Sequence, residues 1–293
     1  MFKELKYIIQ SMRLHQWVKN FFIFAALLFS GHLFQIQDLI DTILGFFIFS
    51  LITSAVYIFN DIIDIEKDKL HPEKSQRPLP SGKLSIKVAI IASLSLAVVS
   101  MLSGYLLNYY FLFFLMGYIL LNILYTLILK NVVVLDIMAI SAGFVLRIYA
   151  GATLINVPVS EWLILCTILI ALFLGFSKRR SELVTLDLNA NIHRSVLSHY
   201  SPHFLDQMIS IVTASTVMSY ALYTISEETI TKFGTKNLIY TVPFVLYGIF
   251  RYLYLVHKLD KGGNPTLTLI KDKPIIINLL LWILTVSIII YVK

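Results

Sequence analysis

Asn60-Asp61-Ile62-Ile63-Asp64-Ile65-Glu66-Lys67-Asp68 comes directly after an apolar run over residues 39–60. A run of roughly 20 apolar residues is what a helix needs to cross the hydrocarbon of a bilayer. If the helix continues past Asn60, a turn of about 100° per residue sets Asp61, Asp64 and Asp68 within roughly one sixth of its circumference. Three carboxylates on one face repel each other unless a cation sits among them. Hard oxygen ligands on a flexible rim suit Mg²⁺ shared with phosphate oxygens. A solvated loop that happens to be charged is the plainer explanation. Loop charge, however, rarely keeps a helical period, and here Lys74 and Arg77 come at once after it.

Outward from this stretch, apolar runs recur about nine times, at 16–35, 39–60, 84–106, 109–129, 133–155, 160–177, 204–226, 236–257 and 274–292. The chain of 293 residues is 58% hydrophobic and only 14% charged, with a mean hydropathy of +0.80, a balance foreign to soluble globules. The expected fold class is an all-α polytopic membrane protein, a bundle of about nine transmembrane helices with a cytoplasm-facing polar cavity. No linker, low-complexity tract or repeat divides the chain, so residues 1–293 read as one integral membrane domain. The first apolar run is too long for a removable signal peptide and lacks its small-residue cleavage site, so the mature chain is expected to start near Met1. Residues 2–15 read as an amphipathic interfacial helix, with Phe2, Leu5, Ile9, Met12 and Trp17 toward lipid and Lys3, Lys6 and Arg13 toward headgroups.

With the N-terminus inside, 20 of the 24 Lys and Arg fall on the cytoplasmic side, while Lys232, Lys236 and Lys293 fall outside and Arg147 lies within a span. The positive-inside rule therefore orients the chain in the cytoplasmic (inner) membrane with its N-terminus in and its C-terminus out. The net charge of +7 covers one membrane face, where it attracts anionic headgroups and phosphorylated substrates. No soluble domain is left over to grip a nucleic acid. The lone Cys166 lies in an apolar span, which excludes a disulfide or a thiolate metal cluster and reads as a small buried hydrophobe.

The two longest cytoplasmic connections, 61–83 and 178–203, each come after a span that ends in charge. In the first, Pro72, Pro78, Pro80 and Gly82 force a stiff, turned chain that holds Lys74 and Arg77 close to the carboxylate face. Carboxylates there hold a cation, and Lys74 and Arg77 hold phosphate oxygens the metal does not reach. His71, before Pro72, is either a phosphate donor or a turn residue. In the second connection, Lys178 and Glu182 are one helical turn apart, either an ordinary surface ion pair or part of a second phosphate clamp with Arg179. Glu182 would then be a further metal ligand or would orient Lys178. A guanidinium within a span costs roughly 2.5–3.5 kcal/mol on insertion scales, so Arg147 faces a polar interior. Asp136 lies eleven residues before it, three helical turns away, too far to meet it. Arg147 is left to an anionic substrate group or to a carboxylate of a neighbouring helix. Arg251 carries the same argument more weakly, because it lies nearer the inner rim. Lys19, Asn20, Tyr125 and Lys130 lie at cytoplasmic span ends, where each is either a phosphate contact or an interface anchor.

Through these residues the sequence resembles the UbiA superfamily of intramembrane prenyltransferases, helical bundles of about nine spans that bind diphosphates with Asp-rich loops and Mg²⁺. Asn60-Asp61-x-x-Asp64-x-x-x-Asp68 matches the first Asp-rich motif. The second is replaced by Lys178-Arg179-Arg180-Ser181-Glu182, which argues against the usual pair of prenyl diphosphate and aromatic acceptor. A narrower branch, the decaprenyl-phosphate phosphoribosyltransferases, is similar in Gln16-Trp17-Val18-Lys19-Asn20, His71-Pro72-x-Lys74-x-x-Arg77-Pro78 and Gly143-Phe144-Val145-Leu146-Arg147. Lys178-Arg179-x-x-Glu182 and the stretch from Pro243-Phe244 to Arg251-Tyr252 extend the likeness over nearly the whole chain.

The resemblance implies that the donor is 5-phosphoribosyl 1-diphosphate, the acceptor a polyprenyl (decaprenyl-like) phosphate and the cofactor Mg²⁺. Asp61 and Asp64 would be catalytic, and Asp61, Asp64 and Asp68 would hold the metal. Asn60, Lys74, Arg77, Lys178, Arg179, Glu182, Lys19, Tyr125, Lys130, Arg147 and Arg251 would contact substrate. Oligomerisation is left open. A conventional prenyltransferase moving an isoprenoid to a small acceptor shares the fold and metal site, and is disfavoured by the basic second loop. A transporter is disfavoured because the charges gather at one face.

Overall fold

The computed structural model describes residues 2–70, 74–186, 195–259 and 262–292, and these contain helices and turns but no strand. Helix α1, Phe2–Met12, has the expected amphipathic pattern. It ends at Arg13, whose φ of 53° lies in the left-handed region and turns the chain. Beyond that turn the chain does not form the single α-helix expected over 16–35. Leu14–Ile23 winds as a 3-10 helix, α2 (Phe24–Ser30) continues it, and Gly31 at φ 88° terminates it. Ten residues at about 2.0 Å and seven at about 1.5 Å span roughly 30 Å, the thickness of the hydrocarbon layer.

Eight further segments among the described residues are long and apolar enough to cross a membrane. They comprise α3 (Ile36–Ile63), α5 (Ile86–Leu107), α6 (Tyr109–Leu127), α7 (Leu135–Leu154), α8 (Glu161–Leu186), α9 (Pro202–Ile225), α11 (Val242–Lys258) and α13 (Lys273–Tyr291). Short helices α4 (Ile65–Lys69), α10 (Glu227–Phe233) and α12 (Pro265–Lys271) sit in the connections. Side-chain caps mark the starts: Asn108 Oδ1 accepts from Tyr110 and Phe111 N–H at α6, and Asp272 Oδ1 accepts from Ile275 N–H at α13.

Spans consecutive in sequence pack side by side from α3 through α13, and the Leu14–Ser30 segment lies against α3 and α7. Tyr291, at the end of α13, closes the ring: its hydroxyl accepts from Leu33 N–H at 3.1 Å and donates to Leu28 O at 3.0 Å. Helices α3 and α7 are 61% and 56% buried against 11–28% for the other six spans, so these two form the interior and the rest face lipid. Two apolar cores flank α7, one with Leu14–Ser30, α3 and α6, the other with α8, α9 and α11. Cys166 packs, half-buried, at the edge of a third cluster around Tyr220, Tyr223 and Phe233. Helix α8 runs on to Leu186, past the expected end at 177, because Lys178 and Arg179 pair with Glu182 one turn later and keep the charged stretch helical.

Candidate active site

The inward face of α3 carries Ser50, Thr53, Ser54, Tyr57, Asn60 and Asp61, spaced three and four apart as one helical stripe that Asp64, just past the helix end, continues. Helix α3 ends at Ile63, yet Asp64 N–H still bonds Asn60 O at 3.0 Å and Asp68 N–H bonds Asp64 O at 2.8 Å. The period therefore survives the junction. Asp61 and Asp68, 3% and 4% exposed, meet at Arg77, whose Nη1 lies 3.1 Å from Asp61 Oδ1 and 2.6 Å from Asp68 Oδ2. Arg13 also pairs with Asp61, its guanidinium 5.1 Å from the Tyr57 ring, and Lys74 Nζ is 3.7 Å from Asp68 Oδ1. Asp64 takes a different partner, Lys130, at 2.7 and 3.1 Å. Asn60 Oδ1 accepts from Thr126 Oγ1 at 2.6 Å. The proline-rich loop is anchored by Leu79 and Leu84, buried against Ile58 and Ala89, which fixes Arg77 beside the acids. Burial and the nearby Arg13 push the Arg77 pKa down, while Asp61 and Asp68 pull it up.

The three aspartates thus divide into a pair and a single residue, and among the described residues no three His, Cys, Asp or Glu side chains are grouped to hold a metal ion. The donor chemistry fits a hard divalent cation nonetheless. Asp61, Asp64 and Asp68 offer carboxylate oxygens on successive helical turns, without sulfur or imidazole, which is the ligand set Mg²⁺ takes together with phosphate and water. His71 lies outside the described residues.

Near the end of α8, Lys178 Nζ is 3.5 Å from Glu182 Oε1, and Tyr125 lies within electrostatic reach of Lys178 and Arg179. Arg179 is 1% exposed and is tied into the frame, with Nε 2.7 Å from Asp136 Oδ2 and Nη1 2.5 Å from Glu182 Oε2. Tyr200 OH donates to the other Asp136 oxygen at 2.8 Å. Among the described residues Arg147 meets no carboxylate: its N–H groups go to Asn20 Oδ1, Gly143 O and Tyr118 OH, at 2.7, 2.7 and 3.0 Å. Arg251 is drawn away from the acids, forming a two-pronged pair with Asp272 at 3.2 and 2.9 Å. Sequence reasoning misses Arg13, Thr126 and the Asp136–Arg179 tie. Arg13 has one signal, its place where the amphipathic segment meets the first apolar run; Thr126 has none.

The bundle thus carries, at the end of an inner helix, an acid shell neutralised by Arg13, Lys74, Arg77 and Lys130. Residues 20–271 match the UbiA prenyltransferase family, and the chain belongs to that family. It is 32% identical over 291 residues to a decaprenyl-phosphate phosphoribosyltransferase of Corynebacterium glutamicum, covering 97% of this chain and 87% of the relative. A protein of the same name from Mycolicibacterium smegmatis is 29% identical over 297 residues, covering 97% and 92%. The fold is similar to a UbiA homolog from Archaeoglobus fulgidus bound to GPP and Mg²⁺, with a TM-score of 0.71, 19% identity, and 97% and 99% of the two chains covered.

Proposed function

We propose that this protein transfers 5-phosphoribose from 5-phosphoribosyl 1-diphosphate to a polyprenyl phosphate, releasing diphosphate, in the cytoplasmic membrane with its N-terminus and active site facing the cytoplasm. The observation that carries the reading is the charge balance of the mouth. Asp61, Asp64 and Asp68 face Arg13, Lys74, Arg77 and Lys130, and the stretch that stands in for a second acidic motif brings Lys178 with a single carboxylate, Glu182, at 3.5 Å. Such a surplus of cations suits a ligand phosphorylated at both ends better than a single diphosphate.

Asp61, Asp64 and Asp68, assisted by Asn60, would hold Mg²⁺. When bound, the ion supplies Lewis-acid neutralisation of the leaving diphosphate. Arg77 and Lys74 bind diphosphate oxygens, and Lys130 and Lys178 hold the 5-phosphate with Tyr125 beside them. Arg179, through Asp136 and Glu182, keeps the Lys178 turn in place. Enclosure by these side chains excludes water, which would otherwise hydrolyse the activated sugar. An acceptor phosphate oxygen forms the new bond to ribose C1 from the face opposite the departing diphosphate, which leaves with the electron pair of the old C–O bond, so the configuration inverts. The acceptor is already anionic near neutral pH, and no side chain has to remove a proton.

The test is incubation of purified protein with Mg²⁺, phosphoribosyl diphosphate and decaprenyl phosphate. A phosphoribosylated lipid and one diphosphate per turnover are expected. Turnover of a prenyl diphosphate with a small acceptor, and no ribosylated lipid, would overturn the proposal.

A further inference from the structure

The polar stripe of α3 does not stop at the acid shell. From Asp61 it passes inward through Tyr57 and Thr53 to Ser50, about 15 Å below Asn60 at the rise of an α-helix. There Ser50 Oγ accepts from Asn20 Nδ2 at 2.9 Å, and Asn20 Oδ1 accepts from Arg147 Nε at 2.7 Å. Arg147 is 3% exposed, its partners are all neutral, and the rings of Tyr118, Phe144 and Phe49 lie 4.8, 5.2 and 5.4 Å from its guanidinium carbon. Its protein partners use three of the five N–H donors of a guanidinium, one on each nitrogen, which leaves one on each terminal nitrogen. That remaining pair is the fork a phosphate accepts bidentately.

Lys19, next to Asn20, is half-buried and has no hydrogen bond or ion pair among the described residues. It lies within electrostatic reach of Arg147, Arg13 and Lys178, all of its own sign. Tyr57 lies within reach of both Arg13 and Arg147, which places it between the acid shell and the deeper cation. Two cations with no carboxylate partner among the described residues, at the inner end of a polar stripe and set among aromatic rings, suit an anionic head attached to an apolar chain.

Resting on the transfer reading above, we infer that Lys19 and Arg147 form the subsite for the phosphate monoester head of the acceptor lipid. Asn20 and Tyr118 fix the guanidinium plane, and Tyr57 marks the boundary with the donor. The prenyl chain then leaves through the apolar wall of the bundle, while donor and metal enter by the mouth.

Calorimetric titration of the purified full-length protein in detergent, without donor, tests this with farnesyl phosphate, farnesol and inorganic phosphate as probes. Wild type should bind farnesyl phosphate at least about tenfold more tightly than either of the others. Lys19→Gln and Arg147→Gln should each weaken farnesyl phosphate roughly tenfold or more, leaving affinity for phosphoribosyl diphosphate with Mg²⁺ within about twofold. Lys19→Gln is the safer variant, because Lys19 bonds to none of the described residues. The subsite is refuted if folded Lys19→Gln binds farnesyl phosphate as wild type does, if the donor weakens instead, or if inorganic phosphate binds as tightly as the lipid. If farnesyl phosphate binds through Lys19 and Arg147 but no phosphoribosylated lipid ever forms, the transfer reading falls and the lipid-phosphate subsite stands.

Discussion

Replacing Arg179 by Met should unfold the bundle more readily before it affects any substrate contact. Both partners of the Arg179–Asp136 pair are shielded, with 1% and 0% of their side chains exposed, and the bond is 2.7 Å long. Removing the guanidinium takes from Asp136 its charged partner at 2.7 Å and leaves the Tyr200 OH at 2.8 Å in place, while Glu182 keeps Lys178 at 3.5 Å. Breaking a buried pair by removing one partner costs about 3–5 kcal/mol, because the other charge stays buried. Met matches the length of the aliphatic stem, so lost packing adds little. Adding Asp136→Asn removes the buried charge and keeps an oxygen for Tyr200, and should restore about 2 kcal/mol or more as a coupling energy. SDS titration in mixed micelles, monitored by circular dichroism, reads both quantities. Arg179→Met within about 1 kcal/mol of wild type, combined with lost turnover, would refute the reasoning and put Arg179 on the substrate.

Asp64→Asn should insert and fold normally, since Asp64 is partly exposed and its ion pair is the one with Lys130, yet lose turnover roughly 100-fold or more. Undiminished activity would remove the metal assignment. Chelation by EDTA should abolish turnover without shifting the SDS midpoint, and excess Mg²⁺ should restore it; activity that persists under EDTA would remove the metal from the reaction. Gly151→Ala should destabilise the bundle by about 1–3 kcal/mol, because a Cβ there would lie 2.0 Å from the Ile23 carbonyl oxygen, a backbone atom with no side-chain freedom to yield. An unchanged SDS midpoint would show that this close crossing is absent.

Whether a feature is legible in the sequence depends on how local its interactions are. The acid stripe is legible, because Asp61, Asp64 and Asp68 keep a helical period that needs only helix continuation, and the backbone bonds at Asp64 and Asp68 supply it. Arg77 and Lys74 beside the acids depend on prolines close in sequence. The separate pairing of Asp64 with Lys130 is hidden, since it joins residues 66 apart and depends on where α6 ends. Arg179 reads as a clamp because a run of cations at a span end looks the same whether it faces substrate or a buried Asp136. Arg251 reads as a substrate contact for its depth, and Asp272, the cap of the next helix, claims it instead.

The 3-10 winding of Leu14–Ile23 has a further consequence for the site. Three residues of 3-10 helix rise about 6 Å, and so do four residues of α-helix. Trp17 and Asn20 therefore keep step with Ser54 and Ser50 on α3, and both rungs form, Trp17 Nε1 to Ser54 Oγ at 3.0 Å and Asn20 Nδ2 to Ser50 Oγ at 2.9 Å. Wound as an α-helix, the same three residues would rise only about 4.5 Å and turn about 60° out of line, so only one rung would close. The neighbouring threefold row carries Gln16, Lys19 and Phe22: Gln16 accepts from Thr266 at 3.1 Å, and Phe22 packs edge-on to Phe144 at 4.9 Å. Lys19 is thereby held between two fixed neighbours. The apolar segment that hydropathy reads as an ordinary span is thus a ruler, set against α3 on one side and admitted by Gly151 of α7 on the other, and its pitch aims Lys19 and Asn20 at the same place as Arg147.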